Sequence, residues 1–196
     1  VGLSVVVVKE GNILYSKAFG LKDLEEKESL AEEDIFRIAS ISKSFSATAI
    51  MRLVEAGKVS LDNDFSKLVG FKVRNPKFPD KVITLKMILS HTSSINDSQG
   101  YFSLDFINPD KNPNWAKCYN DYAPGGGYQY CNLNFNMVGA VIERLSGERF
   151  DLHIKNHILQ PLDLYGGYCV DSLDSDLFTT LYEYDSAGRF NPSPMA

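Results

Sequence analysis

Apolar and polar positions follow two different rhythms along this chain. From Leu3 to Val8 nearly every residue is apolar, and a second β-rich run, "NILYSKAFG", follows after Glu10, Gly11 and Asn12. Two such runs around a short glycine-bearing break predict a hairpin. The first run is apolar on both alternating sets, which predicts a strand covered on both faces. The next segment, "LKDLEEKESLAEEDIF", is charged and reads as a surface connection. From Ser40 to Ala56 the period becomes helical. Ile41, Phe45, Thr48, Ile50, Met51, Leu53 and Val54 form a broad apolar face, and Gly57 supplies a stop. "NPKFPDKV" reads as a loop. Thr84 is placed to cap a short helix with Leu85, Ile88 and Leu89 on one side. Residues 95–129 are rich in Asn, Asp, Pro, Gly and Tyr. A long irregular stretch of this kind in a compact domain tends to carry function. "NLNFNMVGAVIERLSG" predicts a second helix stopping at Gly147, and "ERFDLHIKNHIL" a third ended by Pro161. Beyond Leu164 no pattern is strong enough to assign, and the chain has no repeat or low-complexity tract.

Strand signals therefore cluster before Phe36, with helix and loop after it. A two-stranded hairpin is marginal alone in water, so the pattern predicts a sheet larger than this sequence supplies. The chain has 196 residues, enough for one domain, with 44% hydrophobic and 23% charged residues, an ordinary globular balance. Its formal net charge of -5 argues against nucleic acid as a main partner, because neutralising phosphates needs a basic face. No apolar run approaches the roughly 20 residues of a membrane helix, and no secretory leader pattern is present. The chain opens at Val1 directly in a strand with no start methionine, which leads us to expect a fragment.

Cys118, Cys131 and Cys169 form no C-x-x-C pair, so a zinc ribbon is not indicated. Cys118 and Cys131 flank the turn-rich "YNDYAPGGGYQY". They either close it as a disulfide, which implies an oxidising compartment, or remain two free thiols.

The segment "FRIASISKSF" carries the candidate chemistry. Ser40 and Lys43 are three apart, so on a helix they share a face. At a helix N-terminus, free N–H groups and the dipole favour negative charge developing on a serine oxygen. A serine hydroxyl becomes a nucleophile when a neighbour takes its proton. A lysine does this when burial or a nearby cation lowers its pKa, and Ile38, Ile41 and Phe45 are the residues expected to bury Lys43. By itself S-x-x-K arises about once by chance in a chain of this length. In the bland reading Lys43 only snorkels out of a helix end.

The surrounding blocks decide between these. "IFRIASISKSFSATAIMRLVEAGKVSLDND", "ITLKMILSHTSSIND", "PGGGYQYCNLNFNMVGAVIERLSGERFDLHI" and "ILQPLDL" occur in this order. Together they resemble the penicillin-recognising serine hydrolases, in particular the class C β-lactamase, DD-peptidase and esterase branch, from about Gly2 to Leu164. S-x-x-K is one signature of that superfamily. Tyr130-Cys131-Asn132 matches its Tyr-x-Asn element. The resemblance implies an α/β (α+β) fold of the β-lactamase/transpeptidase type, an antiparallel sheet flanked by helices plus a mainly helical region. It implies one incomplete catalytic domain over residues 1–196. Strands of the α/β part would occupy 1–35, the mainly helical part with both motifs 36–196, and the C-terminal strands would be absent.

The same resemblance implies roles. Ser40 attacks a carbonyl to form an acyl-enzyme, with its backbone N–H as one oxyanion donor. Lys43 takes the serine proton, Tyr130 passes one to the leaving group, and Asn132 positions the substrate. Read without the resemblance, Tyr130 is a turn aromatic on the core and Asn132 a helix N-cap. The expected substrates are β-lactams, D-amino-acid peptides or small esters. No metal or organic cofactor is expected. Proximity to membrane or cell wall, and a periplasmic or secreted location, are implied. The family's third element, Lys-Thr-Gly or His-x-Gly, does not occur in the sequence, and His91-Thr92-Ser93 belongs to a different, structural block. Its absence favours, as the alternative, a catalytically impaired penicillin-binding or sensor module on the same scaffold.

Other patterns carry less. His153 and His157 are spaced as zinc ligands can be, but Ile154 stands where H-E-x-x-H needs Glu, so a solvated helix face is expected. "LDNDFSKL" lacks the glycine of a calcium loop, and "GGG" at 125–127 lacks the Gly-Lys-Ser ending of a phosphate loop. "DSLDSDLF" reads as a charged surface loop. Trp115, Tyr122 and Tyr128 line a cleft or cover the core.

Overall fold

A computed structural model describes residues 1–193. The chain forms two compact units. Among the described residues, one holds Val1–Ala39 together with residues 166–193, and the other holds Ser40–Tyr165.

In the first unit, β1 (Gly2–Lys9), β2 (Asn12–Asp23) and β3 (Glu28–Ser29) pair antiparallel in the order β1-β2-β3. The predicted hairpin turns on two residues. Lys9 pairs with Asn12, and both Glu10 and Gly11 have positive φ, at 52° and 77°. Two left-handed residues between strands match the right-handed strand twist, which is why a glycine sits there. The expectation of a strand covered on both faces is not met. Leu3, Val6, Val7, Val8, Ile13 and Leu14 are all exposed. A three-stranded sheet has two faces and β1 is an edge, so an apolar run on both alternating sets has more surface than its neighbours here cover.

The sequence pattern placed mainly helix and loop after Phe36 and assigned nothing firmly beyond Leu164, where the structure has two strands that were missed. β4 (Leu181–Tyr184) and β5 (Phe190–Ser193) form an antiparallel hairpin. Ile35 bridges Phe178 in parallel, and Thr179 returns a hydrogen bond to the Ile35 carbonyl at 3.0 Å, so this late segment folds with the N-terminal strands. The helical part consequently ends at Tyr165.

The second unit is built on α1 (Lys43–Glu55), α2 (Phe65–Val69), α3 (Leu85–Leu89), α4 (Asn132–Ser146) and α5 (Phe150–Ile154). α4 is its hub and packs against the other four. Leu133, Met137, Val138, Val141 and Ile142 recur on one face of α4 and are fully buried. They meet Ala49, Ile50 and Leu53 of α1, Phe65 of α2, and Leu85 and Ile88 of α3 in one core. Helix ends follow the expected chemistry. The Thr84 hydroxyl accepts from the Met87 N–H at 3.3 Å, and Gly147 ends α4 at φ 76°. Asp64 caps α2 through the Ser66 N–H and pairs with Arg74, so the acidic "LDND" stretch is a structural turn. The predicted third helix is divided. α5 passes into a π segment, Lys155–Leu159, and then a 3₁₀ turn, Gln160–Leu162. Residues 95–129 hold only two short 3₁₀ turns, Leu104–Phe106 and Trp115–Cys118. Among the described residues no helix is long and apolar enough to cross a membrane.

Candidate active site

Ser40 lies in a 3₁₀ turn, Ala39–Ser42, that runs directly into α1. The residue before it, Ala39, has φ 44°, a left-handed conformation that a β-carbon disfavours. Strain of this sort persists where surrounding structure fixes it, and often at reactive positions. Lys43 opens α1 one turn later, so its amine returns toward Ser40.

Tyr130 and Asn132 arrive from the far end of the long loop, at the entry to α4. The four predicted residues come together. Ser40 Oγ and Tyr130 Oη are 2.6 Å apart, and Lys43 Nζ donates to Ser40 Oγ at 3.0 Å and to Asn132 Oδ1 at 3.0 Å. The ammonium also sits 5.1 Å from the Tyr130 ring centre and 5.8 Å from that of Phe135. The apolar cover foreseen from Ile41 is not what surrounds Lys43, since Ile41 is 66% exposed. The amine is half-buried under aromatic faces, which attract a cation, rather than under aliphatic side chains.

This arrangement biases protonation. The Lys43 ammonium first, and the Ser40 hydroxyl second, hold the Tyr130 phenol below its ordinary value. Tyr130 is therefore more readily ionised than an ordinary phenol.

Two residues outside the predicted set organise it. Asp97 is one. Its carboxylate accepts from the backbone N–H of Asn132 at 2.7 Å and of Leu133 at 3.0 Å, from the Asn132 side-chain amide at 3.0 Å, and from the Cys131 thiol at 3.0 Å. Cys131, the N-cap of α4, gives no side-chain cap of its own, so Asp97 caps the helix from a distant loop. Burial alone would raise the Asp97 carboxyl; the N–H groups of Leu133 and Asn132, helped by the thiol and amide, outweigh it and hold the group below the usual carboxylate range.

His91 is the other. Its carbonyl accepts from the Gln129 N–H at 2.9 Å and its Nδ1 from the Cys131 N–H at 3.2 Å, so it grips the backbone on both sides of Tyr130. Its ring lies 4.6 Å from the Tyr130 ring and 5.3 Å from Phe135. Burial, then the Lys43 charge, lower the His91 pKa, which keeps Nδ1 free as an acceptor. Both residues sit in the loop block beginning "SHTSSIND". The available signal was a buried-type histidine and an acid ahead of a helix start with no cap of its own.

Of the aromatics foreseen as cleft or cover, Tyr128 is exposed and meets the His91 ring edge-on at 6.1 Å, beside the site. Trp115 packs against the core. Cys118 and Cys131 are free, buried thiols. His153 corrects the expectation of a solvated helix face, since it is buried and its Nδ1 lies 3.0 Å from Glu148 Oε2.

The chain is similar to several known proteins. The chain is 32% identical over 180 residues to the esterase EstB of Burkholderia gladioli, covering 84% of this chain and 46% of that protein. It is 29% identical over 167 residues to protein flp of Staphylococcus aureus strain MRSA252, covering 83% of this chain and 34% of that protein. The fold superposes on the octameric penicillin-binding protein homologue from Pyrococcus abyssi with a TM-score of 0.82 and 31% identity, over 98% of this chain and 46% of that one. The chain thus spans a third to about half of the length of these relatives. With the beta-lactamase family model matching residues 1–170, this chain belongs to the beta-lactamase family and has its β-lactamase/transpeptidase-like fold.

Proposed function

We propose that the chain carries the acyl-transfer site of a serine hydrolase with Ser40 as nucleophile. The observation behind this reading is the 2.6 Å approach of Ser40 Oγ to Tyr130 Oη beside the Lys43 amine. A protonated lysine has no lone pair, so its contact with Ser40 is a donation, and the acceptor in reach of the serine proton is the phenol oxygen. In this reading Tyr130 as phenolate takes the proton while Ser40 Oγ bonds to the substrate carbonyl carbon. The phenol then returns the proton to the leaving group as its bond to that carbon breaks. Water repeats the sequence in reverse and releases the acid. Lys43 keeps Tyr130 ionisable and Asn132 in place. The Ser40 backbone N–H stabilises the oxyanion, and the Asn132 amide orients the substrate.

Small esters are the first substrate class to test, given the esterase relative; D-amino-acid peptides and β-lactams follow. Cell-wall substrates would place the protein in the periplasm or outside the cell. The test is incubation with a labelled penicillin and an activated p-nitrophenyl ester, reading intact mass and nitrophenolate release. An adduct on Ser40, lost in Ser40→Ala, supports the reading. An adduct without turnover favours a sensor module on this scaffold. Neither adduct nor turnover, in the 196-residue chain and in a full-length form, rejects it.

A further inference from the structure

A second cluster lies at the other end of α1. The axial distance from Lys43 to Arg52 is about 13 Å at the rise of an α-helix. There Glu148, on the connection after α4, faces His153 of α5 and His157 of the π segment. Glu148 Oε2 is 3.0 Å from His153 Nδ1 and 3.0 Å from His157 Nε2. One donor atom from each of the three residues lies within 4.8 Å of the others.

We propose that Glu148, His153 and His157 bind a first-row transition ion of the Zn²⁺ class, with a fourth position open to solvent or an exogenous ligand. Two imidazoles and one carboxylate make a recognised zinc donor set. Bonds of about 2.1 Å in a tetrahedron put neighbouring ligand atoms about 3.4 Å apart, close to the two observed spacings and within reach of a small ring rotation. The sequence pattern H-x-x-x-H lacked an acid between the histidines; folding supplies one from five residues upstream instead.

The surroundings are those of a built site rather than a chance cluster. The π segment carries His157, and such segments concentrate at functional positions. The Arg52 guanidinium donates to the His157 carbonyl and fixes the backbone there. The Glu148 N–H donates to Ser146 Oγ at 3.2 Å. The His153 side chain is 9% exposed, whereas those of His157 and Glu148 are 41% and 40% exposed, which leaves a path in for the ion. A cavity of about 240 Å³ adjoins them, lined also by Arg52, Leu53 and Lys58, and gives room for a fourth ligand.

Arg52 and Lys58 are the cations facing the same space. The donor set, two imidazoles and one carboxylate, disfavours Mg²⁺ and Ca²⁺, whose binding depends on several anionic oxygens, and suits ions that bond strongly to imidazole.

The experiment is Co²⁺ titration of the tag-free 196-residue chain by visible spectroscopy, followed by Zn²⁺ displacement. One equivalent of Co²⁺ is expected to give the d–d bands of a four- or five-coordinate ion, and Zn²⁺ to remove them. Mg²⁺ is expected to leave them unchanged. His157→Asn and Glu148→Gln, both at half-exposed positions, are expected to weaken binding by at least about tenfold, since even an outer-shell change costs that much. Zn²⁺ is expected to raise the melting temperature of the parent chain, reversibly with chelator, and to do so less in either variant. A six-coordinate spectrum like that of Co²⁺ in buffer overturns the proposal. So do bands that persist in both variants or disappear in Cys169→Ser. Melting of the metal-free variants, compared with the parent, separates loss of ligand from loss of fold.

Discussion

Asp97 holds Asn132 twice, accepting its backbone N–H at 2.7 Å and its side-chain amide at 3.0 Å. The two contacts fix both the start of α4 and the direction of the Asn132 carbonyl oxygen, which receives the Lys43 amine at 3.0 Å. A single carboxylate therefore couples the stability of the central helix to the geometry around Ser40. Because an ionised carboxylate only accepts, it suits four donors; an asparagine would turn an NH₂ toward two of them.

Asp97→Asn is accordingly expected to destabilise the chain by about 1–3 kcal/mol, the cost of unpairing buried donors, read as a lowered midpoint in urea. Acylation of Ser40 is expected to slow with it. The pH sign follows from the depressed carboxyl. The unfolded chain binds this proton more readily, so the contribution is complete above the ordinary carboxylate value of 3.8 and is lost as pH falls through the lower folded value. An Asp97→Asn midpoint equal to that of the parent at neutral pH would sink the capping role.

Lys43 is expected to act on Tyr130 through its charge. The phenol is held below its ordinary value by the ammonium first and by Ser40 second. Acylation should then rise with pH as the phenolate forms, with its midpoint below the ordinary tyrosine value. Lys43→Arg retains a cation and should shift this limb little. Lys43→Met removes it and should move the limb toward alkaline pH and slow acylation at neutral pH, by less than the factor of about 10²–10⁴ expected when the general base itself is lost. Tyr130→Phe should lose the limb altogether. Stopped-flow acylation across pH checks all three, and a limb that stays in place in Lys43→Met rejects the coupling.

His91 gives a different pH signature. Its Nδ1 accepts the Cys131 N–H only while the ring is neutral, and burial first and Lys43 second depress its pKa below 6.5. Its contribution is therefore present above about 6.5, the unfolded value, and lost as pH falls through the folded one. His91→Asn is the informative variant, since the backbone there has φ 57° and asparagine tolerates that conformation better than alanine. It should cost about 1 kcal/mol at neutral pH and flatten the weakly acidic loss of stability. Urea midpoints between mildly acidic and neutral pH test this, and parallel curves for parent and variant would exclude His91 as the titrating group.

How much of this was readable from the sequence differs by element. α1 and α4 were legible because their buried residues recur at helical spacing, and Ser40, Lys43, Tyr130 and Asn132 because they sit in ordered motifs. Asp97 and His91 were not singled out as functional. They lie in a loop stretch with no period, where "SSINDSQG" offers several polar residues of similar type, and the demand for a cap appears only when Cys131 proves to supply none. β4 and β5 were missed because each is four residues long, β4 carries Glu183, and β5 carries Pro192. A proline is tolerated there because the hairpin is two-stranded and one side of β5 needs no ladder donor. Glu148 escaped notice because its partners reach it only through the turn after α4.

The thiols give a last prediction, which also settles the two states left open by the spacing of Cys118 and Cys131. Both are free and fully buried; Cys118 points its thiol at the Phe106 carbonyl at 3.4 Å, and Cys131 points its own at Asp97. Burial pushes the Cys118 thiol up to about 11, and burial together with the Asp97 carboxylate raises that of Cys131 further. Thiolate is the reactive form, so neither should react with iodoacetamide in the folded chain at neutral pH. Cys169, which is partly exposed, should be alkylated first. Denaturant should release the other two, giving three alkyl groups by intact mass without prior reduction. A mass that reaches three groups only after reductant, or a peptide joining residues 118 and 131, would show the bonded state instead. Asp97→Asn should also speed alkylation of Cys131 relative to Cys118, because it removes the negative charge that opposes the Cys131 thiolate most directly.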